Sequence, residues 1–563
     1  MTKNVTAKVW SALYSWSDGS LSSAPQAPPP SSGVPFPRTA LLAIGGDQSY
    51  GYSTTPYLSQ VTGHQIGSTG YFPDSTYQNP VSWMGRFDAV LIGGNYEGWS
   101  TSSGMDRADL VEAIKQILYP SFVPTVVAQY SIFETTGGST APNPAWYTEV
   151  ANETWSLYSS ANSSGSKVVS GAGYEVNWAV AWPNAVGSVA ADNYFVVNRV
   201  TAPDSTVEGP CEWNADYHLT RVITKIASYT GTVSGTIPAA AYIDPRQSGW
   251  NNGGACNDHD RAPNLDGVYT DNNFAAPRYA GYYDLTNNYP ANNYGSVACP
   301  WLVRGVHHWH ARAQVDYARA YPGRTYYNFC NFASWDFSFA NGDFSTMSAG
   351  LTNYMHGGVQ EGAFGYSWSL IAAQGGGWLK TLQAYNALMD FCLAPKILWF
   401  GGYANWNADS SPTPPANGNT SYQQMRHILA TALMDNGYCF VDDGGNYEAQ
   451  GSIWWDEFGG NPGTNIPKGW LGYPLSPNRP GAAGVNGVWI RDFTNGVVLC
   501  NPAGNGAQTI TLAQINAYLG KSYTLSFING LQNPSVNSGG TFSSFTLQDN
   551  GATSYGDGLL LVK

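Results

Sequence analysis

The sequence predicts an α/β protein: a (β/α)8 TIM barrel with a large insertion after its third strand and a C-terminal antiparallel β-sandwich. Three observations predict it. Eight short apolar runs, each closing on Gly, Asp, Asn, Tyr or Glu, recur between Thr39 and Gly444. Amphipathic helical stretches separate several of them, and beyond about Gly487 the pattern changes to short strands broken by Gly and Asn. Strand and helix in alternation make a parallel sheet, and eight such units are the number that closes a barrel.

Residues 1–38 contain the run SSAPQAPPPSSGVPFPR. Proline at this density cannot enter a sheet interior and favours an extended arm, read here as a linker or an assembly contact to other copies or to a virion. The barrel is expected over 39–486. Its strand candidates are TALLAIGGD (Thr39 to Asp47), FDAVLIGGN (Phe87 to Asn95), PTVVAQY (Pro124 to Tyr130), DGVYTDN (Asp266 to Asn272), RTYYNFCN (Arg324 to Asn331), GGVQEGAFG (Gly357 to Gly365), KILWFGGY (Lys396 to Tyr403) and GYCFVDDG (Gly437 to Gly444). Apolar runs without alternation fit strands covered on both faces.

Helical spacing joins Leu110, Val111, Ile114, Ile117 and Leu118 after an N-cap at Asp106, and likewise Leu302, Val306, Trp309, Ala313, Tyr317 and Ala320. A third stripe is Leu379, Leu382, Tyr385, Met389 and Cys392, and a fourth Met425, Ile428, Leu429 and Ala432. His307, His308 and His310 are expected on a helix surface. The span from about 135 to 262 is too long for one connection; YFVVNRV (Tyr194 to Val200) and AAAYIDPR (Ala239 to Arg246) inside it compete for the fourth strand. The C-terminal β domain is expected over 487–563 from GVWIRDF, GVVLCNP, TITL, YTLSFINGL and GLLLVK.

Composition narrows the partner. Across 563 residues only 11% are charged but 14% are aromatic, and the formal net charge is −13. An acidic chain without a concentrated basic surface does not suit a nucleic-acid backbone, so that class is set aside. Neutral polar groups and flat rings are what sugars bind, through hydroxyl hydrogen bonds and stacking. No stretch approaches the roughly 20 apolar residues of a membrane span, and the first residues lack the apolar core of a secretory signal, so an extracellular or virion-associated place is expected, with the export signal removed or another route used. Of seven cysteines none has zinc spacing. Cys211, Cys256 and Cys299 lie in turn-rich loops and are the ones to pair in an oxidising compartment; Cys330, Cys392 and Cys500 read as buried thiols. No cofactor is expected. Asn257 to Arg261 (NDHDR) has oxygen ligands for calcium, although such runs are more often turns.

Barrel chemistry sits at the carboxyl ends of strands. Glycosidic cleavage needs two carboxyl groups, one to protonate the leaving oxygen and one to act as nucleophile or base. Asp271, ending the fourth run, and Glu361, flanked by glycines in the sixth, are the catalytic candidates. Asp47, Glu97, Asp336, Asp442, Asp456 and Glu457 are expected to bind substrate with the rings of Trp99, Trp335, Trp368, Tyr403, Trp406 and Trp455. The competing structural readings are a strand-end cap for Asp271, an ion pair with Arg304 or Arg426 for Glu361, and loop packing for any single Trp. Asp266 reads as a bond to neighbouring backbone.

DGVYTDN resembles the acidic strand of glycoside-hydrolase barrels related to the α-galactosidase clan. SIWWDEFGGNPG (Ser452 to Gly463) is similar to the W-[WY]-D-E loop of that group, and IRDFTNGVVLCNP (Ile490 to Pro502) to the segment opening its C-terminal β domain. The resemblance spans roughly residues 39 to 530. It implies a barrel glycosidase with a strand-four Asp as nucleophile or base and a strand-six acid as proton donor. Glu361 stands where the α-galactosidases carry Asp, so linkage and anomeric specificity stay open. A non-catalytic glycan-binding or structural protein on the same barrel is the alternative.

Overall fold

The computed structural model describes residues 34–43, 85–92, 126–132, 135–136, 156–157, 195–197, 266–271, 310, 327–332, 355–365, 377–404, 418–442, 454–460, 464, 466–475, 479–552 and 555–563. Each of the eight apolar runs holds one strand: β1 (Ala40–Ala43), β2 (Ala89–Ile92), β3 (Val126–Ile132), β7 (Gly267–Asp271), β8 (Tyr327–Asn331), β9 (Gly357–Phe364), β10 (Ile397–Tyr403) and β11 (Tyr438–Asp442). They form one sheet in chain order, and every neighbouring pair is parallel. Its edges meet: Thr39 bridges Cys439 in parallel, and the Cys439 N–H donates to the Arg38 carbonyl at 2.9 Å.

The span between β3 and β7 contributes β4 (Thr135–Thr136), β5 (Ser156–Leu157) and β6 (Phe195–Val197), an antiparallel sheet of its own. The YFVVNRV run is therefore a strand, yet it does not displace β7.

Carboxylates fix the amino ends of two strands. Asp88 Oδ2 accepts from the Thr39 N–H at 2.8 Å, and Asp266 Oδ2 accepts from the Val127 N–H at 2.7 Å. Each ties the residue before one strand to the start of its neighbour, satisfying a backbone donor that the ladder has not reached.

Helix α1 (Gly377–Phe391) precedes β10, and α2 (Gly418–Ala432) precedes β11. Leu382, Tyr385, Met389 and Cys392 of the expected stripe on α1 are buried, but its first member, Leu379, is 51% exposed and Trp378 is buried in its place. The indole is held there because its N–H donates to Thr431 Oγ1 at 2.9 Å and its ring lies 5.3 Å from Trp489. Met425, Ile428, Leu429 and Ala432 of α2 are buried as a stripe should be, but so are Gln423, Gln424, Arg426, His427 and Thr431. The reason is a second neighbour, because α2 lies between β10 and β11 on one side and the C-terminal domain on the other. His310, expected on a helix surface, is fully buried; its carbonyl accepts from Asn328 Nδ2 of β8.

The C-terminal domain contains a sheet of β12 (Trp489–Asp492), β13 (Gly496–Asn501), β17 (Asp557–Val562) and β15 (Ser526–Phe527), and a pair β14 (Gln508–Thr511) with β16 (Ser544–Leu547). Val497, Leu499, Leu559 and Leu561 face its own core. Val498, Cys500 and Leu560 alternate with them and are buried too, which is why these antiparallel strands read as unbroken apolar runs. Helix α3 (Leu512–Leu519) was not expected. Thr511 and Gln514 form a reciprocal capping box at its start, and Gly520 closes it in the left-handed conformation.

The last residues of the expected N-terminal arm are packed rather than extended. Phe36 is buried 5.5 Å from the Phe493 ring and bridges Gly472. Cys330, Cys392, Cys439 and Cys500 are buried free thiols; Cys211, Cys256 and Cys299 lie outside the described residues. No described helix is long and apolar enough to cross a membrane.

Candidate functional site

All eight strands feed one interior cluster: Ala40, Leu42, Ala89, Leu91, Val126, Ala128, Tyr269, Tyr327, Phe329, Val359, Ile397, Trp399, Tyr438 and Phe440. Side chains alternate along a strand. Beyond Tyr269, Phe329, Val359, Trp399 and Phe440 come positions 271, 331, 361, 403 and 442, at or near the carboxyl end of their strands. These are Asp271, Asn331, Glu361, Tyr403 and Asp442, carried by five consecutive strands of the sheet.

The register fixes their levels. Thr270 pairs with Cys330, so Asp271 and Asn331 are the next residues of that ladder, and Asn331 itself pairs with Val359. Tyr403 pairs with Asp442. Between β9 and β10 the pairing jumps from Gln360 with Phe400 to Phe364 with Gly402, so β9 bulges over Glu361 to Ala363. Bulges re-aim side chains and gather beside active sites. Gly358 makes the approach to β8 feasible, because a Cβ there would run into the Cys330 carbonyl. For Asp271, Glu361 and Asp442 the description is of the strand, not of the side chain.

Beneath this layer lies an aromatic floor. The Trp399 ring is 5.2 Å from Phe329 and 6.1 Å from Tyr269, and all three are buried. Its low polarity shows in the neighbouring phenols: burial raises the pKa of Tyr327, with Asp266 adding to the effect, and burial raises that of Tyr438.

Trp455, Asp456 and Glu457, expected to contact substrate, are instead buried in the joint with the C-terminal domain. The Asp456 N–H donates to Gln532 Oε1 at 2.9 Å, and the Gln532 N–H donates to Asp456 Oδ2 at 2.5 Å. Asn537 Nδ2 donates to Glu457 Oε1 at 3.0 Å, and the Trp470 indole donates to the Glu457 carbonyl at 2.9 Å. Burial, then the adjacent Asp456, pushes the Glu457 carboxyl up to about 7. Enclosed this way, the three offer no open face to a sugar.

Arg426, an expected alternative partner for Glu361, pairs with Asp557 at 2.9 Å. Tyr403 is half-buried, and its carbonyl accepts from the Tyr555 hydroxyl. Asp47, Glu97, Trp99, Trp335, Asp336, Trp368, Trp406, Arg304 and the 257–261 segment lie outside the described residues. Among the described residues no three His, Cys, Asp or Glu are grouped to hold a metal.

The fold and this layer define a protein of the α/β class, with an eight-stranded parallel sheet and an appended antiparallel β domain. No protein-family model matches the sequence, and neither does any curated protein. Similar solved structures include an α-amylase from Malbranchea cinnamomea, at 10% identity and TM-score 0.39 over 93% of this chain and 96% of that one. An α-amylase from Geobacillus thermoleovorans complexed with acarbose is similar at 10% identity and TM-score 0.39, over 86% and 90%. An Anoxybacillus α-amylase is similar at 9% identity and TM-score 0.38, over 93% and 98%. At these values neither a reaction nor a residue role transfers.

Proposed function

We propose that this protein is a glycoside hydrolase on a (β/α)8 barrel that cuts a polysaccharide or cell-surface glycan, with Glu361 as general acid and Asp271 as nucleophile or base. The observation that supports the reading is the placement of the two acids in the chain of strands, Asp271 at the end of β7 and Glu361 within β9, the strands that flank β8 in a parallel sheet whose core holds the Tyr269, Phe329 and Trp399 rings. Strands two apart stand roughly 10 Å from each other. Paired acids work at roughly 5 to 9.5 Å, within reach of carboxyl groups carried by strands at that spacing. An apolar floor also raises the pKa of a carboxyl group above it, as a proton donor near neutral pH requires. Tyr403 and Asp442, register partners on the next two strands, are proposed sugar contacts. Asp47, Glu97, Trp99, Trp335, Asp336, Trp368 and Trp406 are proposed contacts from the loops.

The test is release of reducing ends from a panel of bacterial surface polysaccharides by wild type, Asp271→Asn and Glu361→Gln. Each substitution is expected to cut the rate roughly a hundredfold or more. Cleavage surviving in both variants overturns the assignment, and glycan binding without cleavage by wild type selects a non-catalytic binding protein.

A further inference from the structure

We infer that Tyr555 of the C-terminal domain is a positioning residue of the strand-end site, fixing the end of the bulged strand that bears Glu361 against the end of the strand that bears Tyr403; the inference rests on the hydrolase reading above. The need for such a residue comes from the ladder. Pairing between β9 and β10 runs from Gly357 with Ile397 to Gln360 with Phe400, then resumes only at Phe364 with Gly402. Glu361, Gly362 and Ala363 therefore stand opposite the single residue Gly401. A bulge takes its residues out of the ladder, so the path of this segment is set by what grips its two ends.

The end nearer the start of β9 is gripped by backbone. A Cβ at Gly357 would overlap the Ile397 carbonyl and one at Gly358 the Cys330 carbonyl, so both neighbouring strands hold β9 closely there. The other end is gripped by Tyr555. Its ring lies 6.1 Å from those of Phe364 and His427, the Phe364 ring lies 4.7 Å from His427 and 5.8 Å from Phe400, and all four side chains are buried. The Tyr555 hydroxyl reaches past this packing and donates to the Tyr403 carbonyl at the end of β10. Gly365, the first residue after β9, has φ +87°, and a Cβ there would overlap both the Tyr555 hydroxyl and Tyr403. One side chain thus meets both strand ends.

The phenol is the informative part of the residue. Phe364, Phe400 and His427 would pack a plain ring equally well, whereas a hydroxyl taken out of water must recover a hydrogen bond. The bond it makes is to the strand that carries a proposed sugar contact, not to its own domain. Tyr555 also lies two residues before Asp557, whose ion pair with Arg426 of α2 fixes where the domain delivers it. The C-terminal domain is therefore a working part of the site.

The experiment compares wild type with Tyr555→Phe, which keeps the packed ring and removes only the bond to β10. Amide hydrogen exchange is expected to quicken roughly tenfold across residues 361–365 and 403–404, with exchange in β13 and β17 unchanged. On a polysaccharide that wild type cleaves, kcat is expected to fall about 5- to 20-fold with KM within about twofold, since a small misplacement of a reacting group costs rate more than binding. A tyrosine that only seals the joint would leave the kcat of the folded protein alone, so faster exchange with wild-type kcat, or a loss confined to KM, overturns the positioning role. Unchanged exchange across 361–365 overturns it as well. If wild type releases no reducing ends, the hydrolase reading falls and this inference with it.

Discussion

Arg426 of α2 and Asp557 at the start of β17 form an ion pair, Nη2 to Oδ1 at 2.9 Å, with both side chains buried between the parallel sheet's helix layer and the C-terminal domain. The pair is well served. Arg426 Nε also donates to the Gly558 carbonyl at 2.9 Å, and Asp557 accepts from the N–H groups of Gly558 and Gln548 at 2.8 and 3.0 Å. Gly558 allows the approach, since a Cβ there would overlap the Arg426 carbonyl.

Removing one partner of such a pair leaves a charge stranded in the joint. Asp557→Leu is expected to cost about 3 to 5 kcal/mol, read as a lower denaturant midpoint, whereas replacing both residues with apolar ones is expected to recover much of it. A single variant as stable as wild type would show that the pair contributes nothing to docking the domain.

Arg491 performs a different task in the same joint. From β12 it donates to the Leu433 and Asp435 carbonyls at 2.6 and 2.5 Å and to Asn436 Oδ1 at 2.6 Å, closing the carbonyl end beyond α2. Arg491→Lys keeps the charge but loses the planar fork that reaches three acceptors. A loss of about 2 to 3 kcal/mol is expected by chemical denaturation. Full stability in the lysine variant would mean that charge alone suffices.

These contacts show how much was legible in the sequence. The strands of the parallel sheet were, because burial on both faces leaves each an unbroken apolar run that needs no knowledge of its neighbour. The joint was not. SIWWDEFGG has the acids and rings of a sugar loop, but the partners of Asp456 and Glu457 are Gln532 and Asn537, supplied by a segment far along the chain. The α2 face carrying Gln423, Arg426 and His427 reads as solvated until the β17 that covers it is known. Helix α3 was hidden for a local reason: TITL runs straight into LAQINAYL, and the capping box at Thr511 was the overlooked boundary. Of the proposed site, Asp271 and Glu361 were picked out by the rule for barrel strand ends, whereas the bulge of β9 beside Glu361 becomes visible only in its pairing with β10.

Three buried titratable groups set a pH dependence. Burial and Asp456 raise Glu457 to about 7, and burial lowers His356 and His427 to about 3 each. Glu457 therefore holds its proton more tightly in the folded chain; its contribution is full below about 4.5 and is lost as pH rises toward 7. The histidines act oppositely, contributing fully above about 6.5 and losing stability as pH falls toward 3. Between about 4.5 and 6.5 the unfolded chain binds two histidine protons against one extra on native Glu457. The net is a rise of about 1.4 kcal/mol per pH unit, followed by a shallow decline to about pH 7. Glu457→Gln is expected to abolish the decline and roughly double the rise, measured as urea midpoints across pH 4.5 to 8. Parallel curves for variant and wild type would rule out Glu457 as the titrating group.

Asp266 and Asp271 stand at opposite ends of β7, and the distance between their tasks can be measured. Asp266 Oδ2 accepts the Val127 N–H at the amino end, where the ladder between β3 and β7 begins. Asp266→Ala leaves that donor without its acceptor and is expected to cost about 1 to 3 kcal/mol of stability while polysaccharide cleavage by the folded fraction stays at the wild-type rate. Asp271→Asn is expected to do the reverse, stopping cleavage with little change in the denaturation midpoint, because an isosteric amide at a strand end preserves packing while removing the charge that a nucleophile or base needs. Melting curves and reducing-end assays on both variants decide it. Cleavage lost with folding intact in Asp266→Ala would move the chemistry to the wrong end of the strand for a barrel enzyme.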